Sequence, residues 1–126
     1  MLERIRKTLI DLARRRKTWS YSQLNDQLEL GFQFRGPGDG KKIGDMIGEI
    51  SKHEHLKGRP LLSSLIIHQT DKKQGDGFYK LCASLSNEGR HWENLKNDQA
   101  WEDSIKEACF NFWANEENYK NFKDDY

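Results

Sequence analysis

Residues 19–81, WSYSQLNDQLELGFQFRGPGDGKKIGDMIGEISKHEHLKGRPLLSSLIIHQTDKKQGDGFYKL, carry their structural signals in a telling order. Ser20 and Gln23 have capping-box spacing, with Trp19 placed as a staple. They predict a short helix from about Tyr21 to Leu28, with Leu24 and Leu28 inward and Gly31 ending it. FQFRGPGDG (32–40) then gathers Gly36, Pro37, Gly38 and Gly40 into a turn-rich loop that holds Arg35. Ile43, Met46, Ile47 and Ile50 form one apolar stripe, predicting a further helix from about Lys41 to His55 that stops near Gly58. Gly44 and Gly48 lie on its flank, where another backbone could pack close. After Pro60, LLSSLIIHQ is rich in strand formers and FYKLCASL matches it across DKKQGDG, which predicts an antiparallel hairpin with Lys72 and Lys73 near its tip.

Outward from this stretch, Leu2, Ile5, Leu9 and Leu12 repeat at helical steps and Arg14, Arg15, Arg16 and Lys17 close that first helix, where cations suit the macrodipole. Downstream, Asp98 is placed to cap a final helix striped by Trp101, Ile105, Ala108 and Phe112, with Phe110 and Trp113 off the stripe. Helix, glycine-rich loop, helix and hairpin is the order of a winged helix. The expected class is therefore α+β: a winged helix-turn-helix of three N-terminal helices and a β-hairpin wing over residues 1–96, with an additional acidic, aromatic C-terminal helix and tail over 97–126.

The formal charge of the 126-residue chain is only +1. It is unevenly spread, because residues 1–96 hold 18 Lys and Arg against 12 Asp and Glu while residues 97–126 hold 3 against 8. A basic body suits a polyanion, and an acidic tail can solubilise the chain or screen that body until a partner displaces it. No apolar run reaches membrane-spanning length and the opening MLERIRKTLIDLARRRK lacks a signal-peptide core, so a cytoplasmic protein without membrane contact is expected.

On such a scaffold, the helix after the glycine loop would enter a groove of duplex DNA while the wing touches the backbone beside it. Lys41 and Lys42 at its N-terminus, Lys52 on the same face, and Lys72 and Lys73 on the wing are the candidate phosphate contacts, with Arg35 in the loop and Arg15 and Arg16 as an accessory patch. Asp45 and Glu49 share the recognition face and oppose that use. The alternative is a protein-binding adaptor or inhibitor, of the kind found in phage and defence conflicts, whose partner itself handles nucleic acid. Its candidate contacts are Phe110, Trp113, Glu116, Glu117, Tyr119 and Phe122, where aromatic anchors and steering charges alternate. A homodimer through the final helix is a further expectation.

The segments TWSYSQL (18–24), GKKIGDMIGEI (40–50) and RPLLSSLIIHQTDKKQGDGFY (59–79) resemble the winged-helix half of the alkylguanine alkyltransferase and alkyltransferase-like proteins, over about half of the chain. The resemblance implies a DNA-binding fold in which Lys41 takes the place of the arginine that leads the recognition helix and Gly44 that of its glycine. Leu61 and Leu62 follow Pro60 where the family carries its reactive cysteine and histidine, and neither can act as a nucleophile, so alkyl transfer is not expected.

No other constellation carries chemistry. His53 and His55 form an H-x-H pair without further ligands at metal spacing. Gly75 to Gly77 lacks the strand and lysine of a phosphate loop and reads as a turn. Glu116 with Glu117 and Asp124 with Asp125 are adjacent on a polar tail, outside any apolar pocket that would shift a carboxylate pKa. Cys82 and Cys109 fall in apolar segments, as small buried side chains do. A non-enzyme without metal or cofactor is the expectation.

Overall fold

A computed structural model describes residues 2–34, 37–85 and 89–126, apart from the side chain of Pro37. The described residues are mostly helical, with one two-stranded parallel sheet, an arrangement compatible with the α+β class.

The first helix, α1 (Leu2–Arg14), forms where the apolar stripe predicts it and buries Ile5, Leu9, Ile10, Leu12 and Ala13. After it, β1 (Trp19–Ser20) runs directly into α2 (Tyr21–Leu28). The junction is the predicted capping box: Ser20 Oγ accepts from the Gln23 amide at 3.1 Å, and Gln23 Oε1 accepts from the Ser20 amide at 2.8 Å. The helix ends one residue after Leu28, at Glu29 in the left-handed region with φ 52°, before Gly31 is reached. Asn25 then holds the outgoing chain by accepting from the Phe32 amide at 3.0 Å and donating to its carbonyl at 2.8 Å.

The central helix α3 (Pro37–Leu56) begins four residues earlier than the sequence pattern places it. Proline is favoured at a first helical position. Asp39, in the first turn, also accepts from the amides of Gln33 and Phe34 at 3.1 and 3.0 Å, so the glycine-rich segment is largely drawn into helix. Ile43, Ile47 and Ile50 go inward, as their spacing requires. Ser51 donates to Ser63 Oγ at 2.6 Å and accepts from the Ser63 amide, tying α3 to the 3-10 turn Leu62–Leu65 that follows.

The antiparallel wing is not formed. The strand β2 (Ile66–Ile67) pairs in parallel with β1, Trp19 beside Ile66 and Ser20 beside Ile67. Residues 68–73 turn back through hydrogen bonds between His68 and Lys73 and between Lys72 and His68. The segment expected as the second wing strand is the helix α4 (Asp76–Leu85). Strand propensity in FYKLCASL yields to tertiary packing: Phe78, Tyr79 and Cys82 recur at helical steps and bury together with Leu95 of α5 (Trp92–Lys96) in a second small core, against which Trp101 and Ile105 pack.

Asp98 caps α6 (Gln99–Ala114) as expected, accepting from the Trp101 amide at 3.0 Å. Its buried positions, Glu102, Cys109 and Trp113, are displaced from the predicted stripe, because the first half of α6 meets α4 and α5 while the second half meets α1. Buried Glu102 accepts the hydroxyl of Tyr79 and the ammonium of Lys106. A break at Asn115 caps the short α7 (Glu116–Phe122). Cys109 and Trp113, both fully buried, belong to the same core as α1, α3 and the 3-10 turn, so residues 97–126 share in the main body.

Candidate functional site

Among the described residues an open groove of about 1220 Å³ is bounded by α3 on one side and by Tyr21, the 68–75 turn and α4 on the other. One wall is a helical edge carrying Gly40, Gly44 and Gly48 one turn apart. A Cβ added at Gly40 or Gly44 would meet nothing within 4 Å, and at Gly48 only the tip of Leu81 at 4.0 Å. Among the described residues no backbone takes up the close approach expected there. Glycine inside a helix costs about 1 kcal/mol relative to alanine, and internal packing returns nothing for it at Gly40 and Gly44.

The floor consists of buried, uncharged residues, Ser20, Ile47, Ser63, Gln74 and Phe78. At its end the Tyr21 ring tilts against His68, with centroids 4.9 Å apart, and the Tyr21 hydroxyl accepts from the Gly75 amide at 3.3 Å. Burial raises the Tyr21 pKa above the usual phenol value, partly opposed by that hydrogen bond, so the hydroxyl stays protonated. Gln74, only 3% exposed, donates its amide nitrogen to the Ser64 carbonyl, and its Oε1 has no partner among the described residues.

Charges stand on the rim and balance: Lys41, Lys52 and Lys80 against Asp45, Glu49 and Asp76, all of them exposed. Lys41 pairs with Asp45 at 3.1 Å, Lys52 with Glu49 at 3.4 Å and Lys42 with Asp39 at 4.0 Å, while Lys80 lies over the Trp92 ring. Of the expected phosphate contacts, the groove therefore brings together Lys41 and Lys52. Lys42 is exposed nearby on α3, Lys72 is exposed on the turn with φ 59°, and Lys73 reaches instead to the Lys96 carbonyl and Gln99. Arg15 pairs with Asp11, and Arg16 with Glu107 and Asn111. Arg35 lies outside the described residues.

Apart from Glu117, the residues expected to meet a protein are engaged internally. Trp113 is fully buried, the Arg16 guanidinium lies over Phe110, and that of Arg14 lies over Tyr119 and pairs with Glu116. Phe122 stacks on Phe112, and Glu117 is exposed. Asp124 meets Lys7, and Asp125 meets Lys57 and Arg59 at 2.8 and 3.0 Å. The acidic tail thus answers the basic residues of α1 and those just past α3, and none of its residues lines the groove.

Burial pushes both cysteine thiols up to about 12, so neither supplies a thiolate near neutral pH. Among the described residues no group of three or more His, Cys, Asp or Glu side chains could hold a metal ion, and no helix is long and apolar enough to cross a membrane.

Sequence reasoning missed the orphan amide of Gln74 and the Tyr21–His68 pair, since both depend on how the 68–75 turn folds under α2. The glycine period at 40, 44 and 48 was the available signal. No family model, curated protein or solved structure matches this chain.

Proposed function

We propose that this chain is a non-catalytic recognition module and that it holds a segment of another protein in the groove between α3 and α4. One observation carries the reading: an uncharged, largely buried floor beneath a charge-balanced rim, beside a glycine edge that the chain's own packing does not use. A polyphosphate gains its hold from excess positive charge, which this rim lacks, whereas protein interfaces seat anchors in desolvated pockets inside a polar border.

The nucleic-acid reading keeps a specific support. Lys41 and Lys42 stand in the first turns of α3, and their exposed pairs with Asp45 and Asp39 are weak enough for a phosphate to displace. The winged-helix expectation and the resemblance to alkyltransferase-like proteins, with Lys41 and Gly44 at the matched positions, belong to this second reading.

Gly44→Leu separates the two. A Cβ there meets no described atom within 4 Å and leucine is a good helix former, so the variant is expected to fold with its side chain in the groove, which circular dichroism checks. Selection from a random peptide library should enrich binders of the wild-type chain that fail on Gly44→Leu, while duplex and single-stranded oligonucleotides bind neither at physiological salt. Oligonucleotide binding that falls steeply with salt and is lost on changing Lys41 and Lys42 to Ala, with no peptide enriched, would replace the protein reading by the nucleic-acid one.

A further inference from the structure

The segment that follows α6 is docked on the body as a separate ligand would be. Each of its aromatic rings lies beneath a guanidinium: Tyr119 beneath Arg14, Phe122 beneath Arg59 and Tyr126 beneath Arg6, at 4.0, 5.6 and 5.9 Å from the ring centroids. Its acids meet cations as well, Glu116 with Arg14, Asp124 with Lys7, and Asp125 with Lys57 and Arg59. No residue of α7 is fully buried, so paired contacts with α1 and with residues just past α3 hold the segment more than a continuous core does.

Its connection to α6 is a single residue. Asn115 leaves the helical region, at φ −73° and ψ 120°, and its side chain caps α7 by accepting from the Asn118 amide at 3.0 Å. No glycine or proline stands anywhere in residues 99–126, so backbone chemistry does not demand the break. With Asn115 helical, Gln99–Phe122 becomes one helix of about 36 Å and carries residues 116–126 away from the body. What leaves must be replaced in kind. Arg6 and Arg59 are 1% and 5% exposed with one buried acid, Glu54, between them, and departure strands donors that now bond the carbonyls of Phe122, Lys123 and Asp125. Stranded buried donors are costly. A small anion would answer the charge and leave the places of the rings empty, whereas a second copy of the segment answers donors, cations and ring faces together.

We propose that residues 116–126 exchange between two copies of this chain, Asn115 straightening in both, so that the segment of each copy docks on the body of the other. The exchange is reciprocal and closes as a two-fold dimer in which the contacts of the segment recur and local structure changes only at the hinge. It is independent of what the groove holds. Within one chain the segment has an effective concentration on the order of millimolar, so the monomer prevails in dilute solution and the dimer forms on concentration or when the hinge is biased towards helix.

Two full-length variants test the exchange by complementation. One carries Lys7→Glu and Lys57→Glu on the body, the other Asp124→Lys and Asp125→Lys on the segment, and all four positions are exposed, so the core is left alone. Each reversal sets a segment against its own body. Mixing the two variants gives each segment a body of complementary charge, so light scattering should find the mass of one chain in each variant alone and of two chains in the equimolar mixture. Asn115→Ala, which removes the cap and installs the best helix former, should strengthen dimerisation of the otherwise unaltered chain by roughly tenfold. If either charge reversal unfolds the chain, the Asn115→Ala concentration series decides. A mixture that stays at the mass of one chain, or an Asn115→Ala protein that is still monomeric at millimolar concentration, overturns the exchange. So does a dimer formed equally by each charge-reversed variant alone, because a dimer through another surface needs no complementary pair.

Discussion

The two ends of α3 solve opposite problems. At its C-terminal end Glu54, fully buried, is gripped by two arginines: Arg6 donates to it at 3.1 and 3.3 Å and Arg59 at 3.1 and 2.8 Å. The remaining guanidinium donors reach the chain's own final residues, Arg6 to the carbonyls of Phe122 and Lys123 and Arg59 to the carboxylate and carbonyl of Asp125. Tyr126 completes the socket by stacking on His53 at 4.5 Å. In the groove along the N-terminal part of the same helix, by contrast, glycines face open space, charges pair only at the surface, and a buried amide oxygen goes unanswered. Unpaired buried atoms occur beside both regions, His53 Nε2 and Trp113 Nε1 by the socket and Gln74 Oε1 by the groove, so what sets the groove apart is its open glycine edge and the absence of any buried ion pair among the residues that line it.

The sharpest way to break this contrast is to remove the central acid of the socket. Glu54→Ala leaves two buried guanidiniums without their counter-ion and should destabilise the fold by about 3–5 kcal/mol, measured by denaturant unfolding. A loss below about 1 kcal/mol would class the socket with ordinary surface pairs and erase the difference between the two regions.

The groove should respond in the opposite direction. Gly44→Ala adds a Cβ that meets nothing, so it should stabilise the helix by about 1 kcal/mol in thermal or denaturant unfolding while weakening peptide capture. Destabilisation by this change would mean that the edge serves internal packing after all.

The smallest effect concerns acid. Lys57 and Arg59 hold the Asp125 carboxyl below its usual range, as Arg14 does for Glu116. Both folded-state values are depressed, so their contribution is present above the unfolded carboxylate values near 4 and is lost as pH falls through the lowered folded ones. The difference in melting temperature between the wild type and Asp125→Asn should therefore shrink as pH drops below about 4, and peptide capture by the groove should not follow it. A difference that persists in strong acid would show that Asp125 contributes through something other than its charge, since the backbone carbonyls are the same in both proteins.

Much of the molecule was legible where a signal is local. The Ser20–Gln23 box, the Ile43 to Ile50 stripe and the Asp98 cap each depend on residues within a turn or two of one another, and each formed. The wing failed for a non-local reason. Strand propensity in FYKLCASL needed a neighbouring strand, but β2 pairs with Trp19–Ser20, and the burial of Phe78, Tyr79 and Cys82 against α5 and α6 favours a helix. Arg6 could be seen in the sequence beside the apolar stripe of α1, yet its partners lie 48 and more than 100 residues away, beyond any pattern along the chain.

The charge asymmetry divides the same way. The sequence by itself determined that the body is basic, that residues 97–126 are acidic and that glycines recur along the central helix, because composition and period are properties of the chain. Only the tertiary structure decided that the acids answer arginines and lysines of α1 and those just past α3, away from the groove, and that the glycine edge faces an uncharged floor with one unpaired oxygen. Which charges meet and which polar atoms go without a partner depends on distances between segments far apart in the chain, and folding alone sets those distances.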